Sequence, residues 1–95
     1  MIEVRIVNVD GKPFLGLRVE LPNAPLLLLL HEKLVIGCGY ISAEAMEKMG
    51  NAACIVKGVR SFQEMLEAKI DDVTSKAEEL GLSKGMRLED ALKML

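Results

Sequence analysis

The chain predicts an α+β domain, and three observations carry the prediction. The first residues alternate apolar and polar, a strand, helix, strand order follows in the middle, and helical periodicity runs from residue 61 onward. A single domain over residues 1–95 is expected, with a β-hairpin at 1–21, a mixed sheet holding one helix and one βαβ unit at 26–60, and helices at 61–95 packed on the sheet.

In the hairpin, Ile2, Val4 and Ile6 share one side while Glu3 and Arg5 take the other. Leu15, Leu17, Val19 and Leu21 likewise oppose Gly16, Arg18 and Glu20. Between the two runs, Asp10-Gly11 suits a type I′ turn, in which both central residues need positive φ. Pro22 and Pro25 end the hairpin. Residues 26–30, LLLLL, are too uniformly apolar for a half-solvated strand. Polar His31, Glu32 and Lys33 then mark the tip of a second hairpin returning through LVIG.

Ser42 is placed to cap a helix over 43–49, with Ile41 and Met46 as a hydrophobic staple and Gly50 as its left-handed terminator. The apolar run 52–56 follows at once, which makes the strands on either side of the helix parallel. Further on, Ser61 and Glu64 have capping-box spacing. Asp71 or Asp72 is expected to begin the next helix, with Val73, Ala77 and Leu80 as its buried stripe and Gly81-Leu82 as a Schellman end. Leu88, Ala91, Leu92 and Leu95 form the stripe of a last helix.

Hydrophobic residues make up 51% of the chain and aromatics only 3%, so the core must be aliphatic. A chain of this length buries little more than about 60% of its unfolded surface. The aliphatic surplus therefore points to self-association. A net charge of -2 offers no basic excess for nucleic acid, and none is expected as a partner. The longest apolar run falls far short of the roughly 20 residues of a membrane span. With no signal peptide at the start, Cys38 and Cys54 are expected to be reduced and the protein cytoplasmic.

The parallel pairing has a chemical consequence. CGYIS and KGVRS leave the same edge of the sheet, each with a glycine and a serine cap, and open α/β sheets bind ligands at such edges. Cys38, Gly39, Ser42, Arg60 and Ser61 are therefore the candidate site for an anionic or carbonyl-bearing ligand, helped by the helix N-termini there. Cys38 could act as a nucleophile, since arginine and a helix start both favour thiolate. It could equally be a small buried hydrophobe. Cys54 reads as core and His31 as a solvated turn residue. Their spacing with Cys38 makes no zinc knuckle, so no metal site is expected, and no cofactor is indicated. A helix-turn-helix over AEELGLSKG would set Asp71, Asp72, Glu78 and Glu79 against phosphates.

The order GCGYIS, GVRSFQEML, VTSKAEELGLSKGM and EDALKML resembles the domain of unknown function 1805 family over nearly the whole chain. The family's motifs fall on Cys38 and Gly39, on Gly58, Val59, Arg60 and Ser61, and on Leu80, Gly81, Gly85 and Met86. Cys54 and His31 have no counterpart. The resemblance implies a small α+β domain whose N-terminal β region serves tetramerisation, with no established activity.

Three functions follow for testing. The first is a homo-oligomeric module binding a small anion or small molecule at the Cys38/Arg60 junctions. The second is a thiol enzyme with Cys38 as nucleophile and Arg60 holding a carboxylate or phosphate, although no Cys-His pairing or phosphate loop accompanies it. The third is a structural interaction subunit whose glycines let segments pack closely.

Overall fold

A computed structural model describes all 95 residues. Six strands form one sheet, paired in chain order. β1 (Ile2–Val9) and β2 (Lys12–Val19) make the predicted hairpin. Asp10 and Gly11 both have positive φ, 52° and 80°, as a type I′ turn requires. The register sets Val4 opposite Leu17 and Ile6 opposite Leu15, so the aliphatic residues of both strands share one face.

β3 (Leu26–Leu30) pairs antiparallel with β2 and with β4 (Val35–Gly37). Reciprocal backbone hydrogen bonds between His31 and Leu34 close the tip of this second hairpin. α1 (Ala43–Met49) then crosses over to β5 (Ala53–Ile55), which lies parallel to β4. Ser42 Oγ accepts from the Ala45 N–H, and Gly50 ends the helix at φ 80°.

The segment after residue 60 departs from expectation. α2 (Phe62–Glu67) begins at Ser61, but no helix begins at Asp71 or Asp72. Asp72–Val73 instead forms β6, antiparallel to β5, and α3 (Ser75–Glu79) starts from Thr74. The reason is tertiary. Asp71 accepts the Lys57 N–H at 2.7 Å, and the buried Thr74 hydroxyl accepts from Ala53 at 2.9 Å while donating to Asn51. These bonds tie the segment to β5 in place of a helix start. Residues 61–95 are therefore not wholly helical.

The Schellman end is present. Leu82 N–H reaches the Ala77 carbonyl, Gly81 N–H reaches that of Glu78, and Gly81 has φ 100°. Of the expected stripe on α3, Ala77 is buried, whereas Leu80 is exposed. α4 (Leu88–Lys93) buries Leu88, Ala91 and Leu92.

The two faces of the sheet differ. Val9, Phe14, Leu27, Leu29, Ile36 and Cys54 face α2 and α4 and join Phe62, Met65 and Leu92 in the main core. Gly16 makes room there, since a Cβ would stand 2.9 Å from the Phe62 ring. The opposite face carries Ile2, Val4, Ile6 and Leu15, all exposed. Further along this face Ile41 covers Gly37, where an added Cβ would lie 2.6 Å from the isoleucine side chain. No helix is long and apolar enough to cross a membrane.

Candidate functional site

Because β4 and β5 run parallel, the segments leaving them emerge side by side. They enclose a cleft of about 280 Å³. One wall is Cys38, Gly39 and Tyr40, the other is Gly58, Val59 and Arg60, and Ala24 and Pro25 close the end. Gly58, at φ 76°, supplies the left-handed residue that turns the chain out of β5 toward α2. Lys57, just before it, is fixed by the bond from its N–H to Asp71.

Cys38 contributes little surface. It is 3% exposed and belongs to the main core cluster. Its Sγ accepts the Leu27 N–H at 3.3 Å, and its own N–H returns to the Leu27 carbonyl at 3.1 Å. The sulfur is held as a hydrogen-bonded packing atom beside β3.

Arg60 is positioned through its backbone. Its carbonyl accepts from Arg18 at 2.6 Å, and its N–H donates to Glu64 at 2.9 Å. Arg18 is itself paired with Glu20. The Arg60 guanidinium has no carboxylate or other hydrogen-bond partner in the chain.

Cys38, Gly39 and Arg60 thus share one cleft, whereas Ser42 and Ser61 are not part of its lining. Both hydroxyls are occupied as helix caps, Ser42 on Ala45 and Ser61 on Glu64, each at 3.1 Å. Their contribution is to set where the two loops turn into helices.

Sequence reasoning missed Tyr40, Val59, Gly58 and the Ala24-Pro25 wall as parts of the site. Tyr40, the single tyrosine, was visible beside Cys38-Gly39. The Ala24-Pro25 wall had no signal, because it arrives from a distant loop; the Tyr40 hydroxyl donates to the Ala24 carbonyl at 3.3 Å.

His31 and Cys54 lie elsewhere. His31 packs against Phe14, ring centroids 5.1 Å apart and tilted by 37°, and lines a second cleft of about 350 Å³ with Lys12, Lys33 and Leu80. Cys54 is fully buried, and burial pushes its thiol up to about 12. No three His, Cys, Asp or Glu side chains converge as a metal would need.

Fold and cleft define a small α+β domain built on one mixed sheet, with a pocket where its two parallel strands end. The chain belongs to the family described as domain of unknown function (DUF1805), which matches residues 37–95. It is 29% identical to the uncharacterized protein YunC of Bacillus subtilis (strain 168) over 96 residues, covering 97% of this chain and 95% of that protein. The fold is also that of TA1206, a protein of unknown function from Thermoplasma acidophilum known from a crystal structure. That match has a TM-score of 0.93 and 30% identity, covering 100% of this chain and 93% of the other.

Proposed function

We propose that the protein is a homo-oligomeric cytoplasmic domain that binds a small anion in the cleft between Cys38-Gly39 and Arg60. The observation that carries this is the Arg60 guanidinium. Arg60, an exposed residue, lines a cleft otherwise walled largely by apolar groups, and its guanidinium has no carboxylate partner. An arginine fork in that setting suits a carboxylate or phosphate. Binding is favoured over thiol catalysis because Cys38 is buried and the only histidine lines the other cleft.

Self-association is supported by the exposed row Ile2, Val4, Ile6 and Leu15 on β1 and β2. Partly buried Leu17, Val19, Leu26 and Leu28 continue the row across the sheet. Covering such a face removes apolar area from water at about 25 cal/mol per Å². Two buried free thiols fit a reducing cytoplasm.

The test has two parts. A thermal-shift screen of small carboxylates, phosphate and sulfate is expected to stabilise the wild type and not Arg60→Gln; equal shifts in both would refute the site. Light scattering is expected to give a multiple of the 10.4 kDa chain mass, falling to the monomer in Val4→Lys/Leu15→Lys. A wild type that is monomeric at high concentration would refute the oligomer.

A further inference from the structure

The cleft has a second feature, in its backbone. Gly39, Tyr40, Gly58 and Val59 all line it, and none of their N–H groups donates to an acceptor in the chain. Their neighbours are satisfied: Cys38 and Ile41 donate to carbonyls, Lys57 to Asp71 and Arg60 to Glu64. These four unfilled donors lie on the two loops that face each other across the cleft. Gly39, Tyr40 and Gly58 are exposed, so their N–H groups are open to solvent or a ligand, whereas Val59 is buried, where an N–H without a partner is uncommon. Successive N–H groups at a left-handed residue such as Gly58 form anion-binding concavities.

The charge count narrows the anion. Arg60 is the only cationic residue of the lining; nearby, Lys57 pairs with Asp72, and Arg18, which donates to the Arg60 carbonyl, pairs with Glu20. The Glu64 carboxylate is engaged on the Arg60 N–H and lies outside the lining. One guanidinium with neutral N–H donors balances a single negative charge better than a dianion. Ala24, Pro25, Tyr40 and Val59 offer apolar surface to whatever carries that charge. At about 280 Å³ the cleft is just below the roughly 300–1,000 Å³ that accommodates drug-sized ligands.

We infer that the cleft takes a monocarboxylate on a short apolar body, its oxygens shared between the Arg60 guanidinium and backbone N–H groups of the two loops. This specifies the ligand class of the proposed anion site and rests on it. Cys38 then forms part of the floor and takes no covalent part.

The experiment is a titration of the full ¹⁵N-labelled chain, followed by amide shifts, with isobutyrate, its neutral isostere isobutyramide, and inorganic phosphate. Isobutyrate is expected to move the amides of Gly39, Tyr40, Gly58 and Val59 saturably. Isobutyramide, phosphate, and isobutyrate against Arg60→Gln are each expected to bind weaker by about tenfold or more, the scale of a charge-assisted hydrogen bond. Phosphate binding more tightly than isobutyrate at these amides would overturn the monocarboxylate class and leave the anion site standing. Isobutyramide matching isobutyrate would overturn both, as would no response of the four amides to any of the three. An unchanged spectrum of Arg60→Gln away from the cleft shows that its fold is intact.

Discussion

The two faces of the sheet are covered to different extents. On the face toward α2 and α4, Phe14, Leu27, Leu29 and Ile36 are fully buried, and two helices contribute most of their apolar stripe. On the other face, α1 spans only the β4–β5 end and has no buried residue of its own. It is held by Ile41 against Gly37, by the Ser42 cap, and by Glu47, whose carboxylate accepts both the N–H and the hydroxyl of Ser75. Beyond α1 that face is bare over β1 and β2. The contrast shows that one face carries the main core. On the other, Ala53 and Ile55 are buried beside Gly37 under a short helix that is further held by close approach and a polar tether.

The largest test of this contrast lies in two adjacent residues. Phe14 is 0% exposed and Leu15 is 42% exposed, on opposite sides of β2. Phe14→Ala is expected to cost about 3–5 kcal/mol in urea unfolding. Leu15→Ala should cost under about 1 kcal/mol in the isolated chain. Equal losses, measured under conditions where the protein is monomeric, would break the distinction between the faces.

A smaller effect probes the close approach at α1. Gly37→Ala puts a methyl within 2.7 Å of the Ile41 Cβ, next to the backbone where little can yield. Its expected cost is about 1–3 kcal/mol. Gly39→Ala is the control, because its nearest neighbour would be at 3.7 Å and its φ is not left-handed. That change should stay within about 0.5 kcal/mol.

The smallest effect concerns the tether. Hydrogen bonds from the Ser75 hydroxyl and N–H lower the Glu47 pKa below its usual 4.5, and Lys76 adds to this. A carboxyl with a depressed folded pKa adds stability above its unfolded value, and loses it as pH falls through the folded one. Glu47→Gln should therefore flatten the stability profile below about pH 4.5, with little effect near neutrality. A variant profile parallel to the wild type down to acid would show that the tether is not ionic.

Much of the fold was legible because its determinants are local. The Asp10-Gly11 turn, the Ser42 and Ser61 caps, the Gly50 terminator and the Gly81-Leu82 end each depend on a few consecutive residues. The parallel β4–β5 pair followed from a short crossover, and with it the pairing of Cys38 with Arg60 in one cleft. Asp71 and Asp72 were misread because their side chains serve Lys57 and Lys84, which no local pattern reveals.

By itself, then, the sequence determined the α+β class, the two hairpins and the parallel β4–β5 pair, the turn and cap chemistry, and which loops would meet. Alternation, turn residues and caps act over a few positions and need no distant partner. Only the tertiary structure decided which face of the hairpin is covered, that β6 replaces a helix turn, that Cys38 turns its sulfur to the Leu27 N–H, and that Ala24-Pro25 closes the cleft. Each of these depends on groups far apart in the chain competing for the same hydrogen bonds and the same buried space, and that competition is settled only when the sheet has formed.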